Sequence, residues 1–252
     1  MASPRKRVTP EAREIGEYPR PSLAVDLVIA SVDRDERLVV LLVKRREAPH
    51  AGEWSLPGGF VHEGESVPAA AARVLREKTS LEGVEIEELK SFSEPGRDPR
   101  GWVVSIAFLA LVPADRMADV RAGAAAEDAR FFALEASGET HVLLAREPRE
   151  PAPGELGFDH EEILSSAFAR LRRRVETTPL AFGLLPARFT LGEAQRVVEA
   201  ILGRRIDKAA FRTKVLTLGL VRPTTEERRG GAHRPARLYV AASGWDTVGE
   251  TS

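Results

Sequence analysis

Apolar residues follow two different rhythms along this chain. Residues 23–29 and 38–43 are dense in Val, Ile and Leu, and the polar segment 33–36 divides them, so they predict the two strands of a hairpin. Pro and Gly punctuate residues 47–59, which predicts a loop. The rhythm then changes. Residues 67–78 place alanines at 69–72 and Leu75 on the face of Ala71, the spacing of a helix. Residues 102–112 predict a strongly apolar strand and residues 130–134 a shorter one. The Pro- and Glu-rich stretch 141–156 predicts loop. In residues 158–176, His160, Ile163, Ala167 and Leu171 fall on helical spacing, and Arg170–Arg174 suit the negative end of that helix. Pro179 and Pro186 interrupt residues 177–187, where the spacing places a domain boundary.

Beyond that boundary the pattern is helix, turn, helix, hairpin. Thr190 followed by Glu193 is a capping box, Val197 and Ile201 mark an amphipathic helix to Leu202, and Gly203 ends it. Asp207 caps a second helix, closed by Gly219, whose inward face is predicted to carry Ala210, Phe211, Val215 and Leu218. Its outward face would carry Lys208, Arg212, Thr213 and Lys214. Leu220-Val221 begin a short strand, and residues 236–240 form another. The turn between them is basic and Gly-rich, with Arg228, Arg229 and Arg234, and Arg237 follows on the second strand. This is the winged-helix order, in which the second helix enters the major groove and the wing reaches phosphates or the minor groove.

Charge strengthens that reading. The net charge of −1 hides an asymmetry: residues 188–240 hold 12 Lys and Arg against 5 Asp and Glu, a surplus of +7, which leaves −8 on the remainder. A basic module on an acidic body points to nucleic acid. The 252 residues suffice for two cores. There is no cysteine, so a disulfide framework and a zinc–thiolate site are excluded. No apolar run approaches membrane-helix length, and residues 1–22 are charged and aperiodic, so the expectation is a cytoplasmic protein with a loose N-terminal arm and no membrane partner.

The front half carries a motif. Residues 56–81 read LPGGFVHEGESVPAAAARVLREKTSL, which resembles the Nudix signature, with Gly59, Glu65, Arg73, Leu75, Glu77 and Leu81 in register. The resemblance implies a diphosphate-hydrolysing fold, an α/β/α sandwich around a mixed sheet, in which helix glutamates at i, i+3 and i+4 converge on magnesium. This chain departs at those slots. The first metal glutamate is Val74, the last is Lys78, and the glycine slot holds Ser80, so Glu77 alone remains of the helix carboxylates. Sliding the register to Arg76-Glu77 would need three more residues after Glu65, a rotation of about 300° that scatters the other ligands. The expectation is no catalytic residue, no metal and no cofactor. The retained pocket would bind a ligand through Arg46, Gly58, Gly59, Phe60, Glu77, Lys78, Arg97 and Arg100, with Trp54 either a wall or packing.

A degenerate Nudix half followed by a winged helix, together with the phrases Phe158-Asp159-His160, 178–182, 189–191 and 228–231, is similar to the Nudix-related transcriptional regulators of NAD metabolism, the NrtR family. Membership implies a homodimeric repressor of NAD synthesis or salvage genes, with double-stranded operator DNA as partner and ADP-ribose or a related nucleotide as effector. The expected division is an arm (1–22), a ligand-sensing α/β domain (23–157), a connecting helix and linker (158–187) and a winged helix (188–242). The enzyme alternative is a magnesium-dependent ADP-ribose pyrophosphatase drawing on Glu63, Glu65 and Glu77.

Overall fold

The structure, a computed structural model, describes residues 15–123, 126–137, 140–144, 155–228 and 235–242. Most of the predicted arm, residues 145–154 of the predicted loop, and the wing tip with Arg229 and Arg234 lie outside those residues.

The predicted hairpin is β1 (Ser22–Val32) and β2 (Leu38–Arg45), antiparallel through Ala30 opposite Val40. Short strands β3 (Trp54–Ser55) and β4 (Gly58–Phe60) occupy the segment expected as loop and pair with β2 and β1. The apolar strand predicted over 102–112 is β6 (Val103–Leu111), parallel to β1, and β7 (Ala126–Ser137) extends the shorter prediction. Two further strands were not anticipated: β5 (Ile86–Phe92), and β8 (Thr140–Leu144), which overlaps the start of the expected 141–156 loop. The sheet runs β5-β6-β1-β2-β7-β8, mixed as expected, and the two unforeseen strands are its edges.

Side chains alternate between the two faces of β1. Val25, Leu27 and Ile29 meet Ala70, Ala71, Val74 and Leu75 of α1 (Val67–Thr79). Val28, Ala30 and Val32 meet Ile163, Ala167, Phe168 and Leu171 of α2 (His160–Arg174). Helices therefore cover both faces of the sheet. Ser66 caps α1, and Ser80 ends it with φ +62°, the left-handed conformation that favours glycine. The slot where the Nudix signature has glycine thus imposes that backbone here too, which supports the chosen register.

The connection after α2 is packed rather than open. Pro179–Leu184 form a 3-10 turn with Leu180, Ala181, Phe182 and Leu184 buried, continuous with the core of the C-terminal half. Its prolines break the helix, but its apolar residues still need covering. Helix α3 (Leu191–Leu202) starts with the predicted capping box: Thr190 Oγ1 accepts from the Glu193 N–H at 3.2 Å, and the Thr190 N–H donates to Glu193 Oε2 at 2.7 Å. Asp207 caps α4 (Lys208–Thr217) through the Ala210 N–H at 2.8 Å. Strands β9 (Val221–Arg228) and β10 (Ala236–Ala241) form the wing, and Phe189 bridges to Tyr239 beside it. The inward face of α4 is narrower than predicted. Phe211 and Val215, four residues apart, are buried, whereas Ala210 and Leu218 are exposed. One i, i+4 pair anchors the helix, and most of its circumference remains at the surface.

Candidate functional site

The cleft of the N-terminal half opens over the face of β1 that carries Ala24 and Asp26. Its walls come from the end of β2, the short strand β4 (Gly58–Phe60), the 97–100 loop, the start of α2 and the last turn of α1. Seven of the eight residues expected to bind ligand line it: Arg46, Gly58, Gly59, Phe60, Lys78, Arg97 and Arg100. Glu77 does not; its exposed carboxylate accepts from Arg73 Nη1 at 3.2 Å. Trp54 is packing: it meets Phe132 edge-on with centroids 4.8 Å apart.

A buried charge network holds the floor together. Asp26 is a lone carboxylate in an apolar strand, and such a group must be paired. Ser105 Oγ of β6 donates to it at 2.5 Å, Arg97 Nη2 at 3.4 Å, and His160 Nε2 lies 3.4 Å away. The Leu56 N–H donates to His160 Nδ1 at 2.9 Å, which leaves Nε2 to carry a proton towards Asp26. Burial alone would raise the Asp26 carboxyl; His160, Ser105 and Arg97 outweigh it and hold it below the ordinary value.

Arg97 was expected to face the ligand, but its guanidinium is occupied. It donates to both oxygens of Asp159 at 2.8 and 2.6 Å, and its side chain is only 4% exposed. Burial pulls its proton affinity down, and the Asp159 and Asp26 carboxylates more than restore it. Arg97 is therefore a clamp between the cleft and the start of α2. The neighbouring turn is closed by Arg100 on Asp98 at 2.7 Å, and the Arg100 guanidinium lies 5.1 Å from the Phe60 ring centre. Phe158 supplies a second aromatic wall, with Arg45 4.9 Å above its ring. Sequence reasoning missed Asp26, Asp159, His160 and Phe158 as site residues. The signals were the single Asp inside residues 23–29 and the Phe158-Asp159-His160 phrase.

The residues at the Nudix metal slots do not fit a magnesium ion. Val74 is fully buried, and a Cβ on Gly59 would sit 3.0 Å from its Cγ2. Lys78, a cationic residue, lines the cleft. Glu65 is chelated by Arg73 Nε at 2.8 Å and Nη2 at 2.9 Å, and accepts from the His62 N–H at 3.0 Å. The Arg73 hydrogen bonds, then that of His62, hold Glu65 at about 2. Magnesium wants several hard oxygens converging, and of the three helix slots only Glu77 offers a carboxylate.

The lowered Glu65 value has a measurable consequence. A carboxylate depressed on folding stabilises the fold above its ordinary value of 4.5, and the stabilisation is lost as pH falls from there towards about 2. Acid titration of Glu65→Gln should therefore give a flatter stability profile than wild type across that window. Parallel profiles would show that the Arg73 pair does not act on stability.

The second candidate surface is α4. Lys208, Arg212, Thr213 and Lys214 are all exposed, beside the small Ala209 and Ala210. Among the described residues Lys208 and Arg212 have no ion pair, whereas Lys214 Nζ lies 3.4 Å from Glu176 just past α2. Arg237 is exposed on β10, and Arg228 is paired with Glu193 across the wing base.

Comparison with known proteins covers both halves. The family model of the NUDIX domain matches residues 21–151, and that of the NrtR DNA-binding winged helix domain matches residues 181–241. An ADPR responsive transcriptional repressor NtrR of Acinetobacter baylyi is 35% identical over 225 residues, 88% of this chain and 83% of that protein. An ADP-ribose pyrophosphatase of Methanocaldococcus jannaschii is 37% identical over 151 residues, 58% of this chain and 73% of that protein. The structure of Shewanella oneidensis NrtR complexed with a 27mer DNA superposes with a TM-score of 0.69 at 31% identity, covering 87% of this chain and 93% of that one. A NUDIX half and an NrtR winged helix in one chain, matched over 88% of its length by a relative that is an ADPR responsive transcriptional repressor, place this protein in the NrtR family of Nudix-related transcriptional regulators.

Proposed function

We propose that this protein is a DNA-binding repressor of NAD synthesis or salvage genes that senses ADP-ribose through its Nudix cleft and does not hydrolyse it. One observation carries the reading: the chain keeps a cation-lined Nudix cleft while filling the metal slots with a buried Val74 and a Lys78, and it joins that cleft to a winged helix whose second helix exposes Lys208, Arg212, Thr213 and Lys214. The likeness to the Acinetobacter repressor over most of both chains supports it. In the cleft, the flat faces of Phe60 and Phe158 suit a base, and the cations suit a diphosphate.

The protein acts in this reading as a homodimer, two winged helices on a two-fold operator, in the cytoplasm where that operator is found. The working division is the one read from the sequence, with a sensing unit over 23–157, a connector over 158–187 and a DNA-binding unit over 188–242. Wing residues Arg228, Arg229, Arg234 and Arg237 add phosphate contacts to those of α4. Helix α2 is the connector that counts. It starts at Asp159 and His160 on the cleft floor, and in its last turn Arg172 Nε donates to the Ile201 carbonyl of α3 at 3.1 Å. ADP-ribose weakens operator binding by preferring the arrangement in which the recognition helices are misplaced. A 100-fold change in operator affinity needs about 2.7 kcal/mol of such preference.

The test is a mobility shift on the upstream region of the protein's own operon, titrated with ADP-ribose, NAD and sugar phosphates. Release by ADP-ribose at least tenfold more sensitive than by the others is the expected result. An operator complex indifferent to ADP-ribose overturns the sensor, and brisk formation of AMP from ADP-ribose with magnesium overturns the non-hydrolytic reading in favour of a pyrophosphatase.

A further inference from the structure

Six cations line the cleft: Lys44, Arg45, Arg46, Lys78, Arg97 and Arg100. Five of them make at least one side-chain hydrogen bond or ion pair. Lys44 pairs with Glu127 at 3.3 Å, Arg45 Nε donates to the Pro49 carbonyl at 2.8 Å, and Arg46 Nη2 donates to the Ala126 carbonyl at 3.2 Å. Arg97 is clamped on Asp159, and Arg100 on Asp98. Among the described residues Lys78 is the one cleft cation whose side chain has neither ion pair nor hydrogen bond. It stands in the slot of the last metal-binding glutamate of the Nudix signature. Its backbone is firmly placed: the Gly123 N–H donates to the Lys78 carbonyl at 3.2 Å, and that loop lies so close that a Cβ on Gly123 would be 2.3 Å from the Glu77 carbonyl oxygen.

We infer that Lys78 is the built-in counter-charge of the cleft, standing where the enzymes of the fold hold a divalent cation, and that it makes recognition of a diphosphate independent of metal. The inference rests on the ligand class proposed above and adds how that ligand is held. An unpaired ammonium in a cleft attracts an anion and offers three N–H donors to phosphate oxygens. It has no open coordination position for a water, so it cannot supply the activated hydroxide that a bound metal supplies. A lysine in that slot thus keeps phosphate attraction and, with Val74 in the first slot, takes away the carboxylates that would hold the metal. The chemistry also selects: a diphosphate offers this point the oxygens of two phosphate groups, a monophosphate those of one, and a nucleoside none.

Calorimetric titration of the full-length protein with ADP-ribose tests this, in EDTA and in 5 mM magnesium. Wild type should bind with a Kd equal within about twofold in the two buffers. Lys78→Met should bind at least tenfold more weakly in both and should lose most of the preference for ADP over AMP. Lys78→Glu should bind very weakly in EDTA and recover at least tenfold in magnesium, because a carboxylate again offers the metal an oxygen. Lys78 is half-exposed in the last turn of α1, so both variants should keep the wild-type fold, checked by thermal melting. If Lys78 serves only the negative end of α1, Lys78→Met will lower the Tm slightly and leave the Kd unchanged, and the inference falls. It falls equally if wild type binds tenfold tighter with magnesium. If wild type gives no binding heat in either buffer, the sensor reading itself is at fault.

Discussion

Asp26→Ala is expected to destabilise the protein by about 3–5 kcal/mol, the range for removing one member of a buried ion network. The cost lies in what is left behind. Ser105 loses its acceptor, His160 its facing carboxylate, and Arg97 one of its two anions, all in the floor beneath the cleft. Gly58 packs against the same carboxylate so closely that a Cβ there would lie 2.2 Å from Asp26 Oδ1, so the turn carrying Gly58-Gly59-Phe60 should loosen with it. Asp26→Asn separates charge from shape. It keeps an acceptor for Ser105 but removes the anion, so its loss should be clearly smaller than that of the alanine variant. Chemical denaturation of the three proteins measures this. Because the Asp26 carboxyl is held below its ordinary value, the wild-type advantage should be full at neutral pH and disappear only as pH falls below the usual carboxylate range. An alanine variant within 1 kcal/mol of wild type would show that the network is tolerated rather than stabilising.

That network explains why the cleft was only half legible in the sequence. The metal slots follow from register along one helix, and α1 keeps the register, down to the left-handed Ser80. Local signals also held elsewhere: the capping box at Thr190 and the Asp207 cap act within three residues, so sequence spacing decides them. The charge clamp is of another kind. Arg97 sits beside Asp98 in the sequence, yet it pairs with Asp159, 62 positions away, while Asp98 turns to Arg100. Nothing local distinguishes those choices, because the fold brings α2 onto the 97–100 loop. Strand β5 was missed for a related reason. Its residues Ile86–Phe92 are half-exposed or exposed up to the buried Phe92, with two glutamates and a lysine, a pattern suited to a charged sheet edge that lacks a strand's apolar rhythm. The prolines of 177–187 marked a linker at a domain boundary because they break a helix, but they did not show that Leu180, Phe182 and Leu184 between them are core residues. Punctuation residues report where a regular element ends and say little about burial.

The double variant Lys208→Ala/Arg212→Ala should lose roughly 30-fold in operator affinity near 0.15 M salt while keeping its Tm. Each phosphate neutralised adds about 0.9 to the slope of log K against log salt, so two lost contacts should also make that slope shallower by about 1.8. Both side chains are exposed and have no ion pair among the described residues, whereas Phe211 and Val215 carry the packing of α4, so the fold should not notice. Lys214 needs the opposite experiment. Its ammonium lies 3.4 Å from Glu176, which also approaches Arg204 at 3.7 Å, so a phosphate must compete with a carboxylate at the end of the connecting segment. Glu176→Gln should therefore raise operator affinity about fivefold at the same salt and steepen the slope by about 0.9, the value of one additional phosphate contact. The two variants move affinity and salt slope in opposite directions through the cations of one helix. A dimerisation or interaction module with a basic surface would move neither, so unchanged mobility shifts for both would remove α4 as the helix that enters the groove.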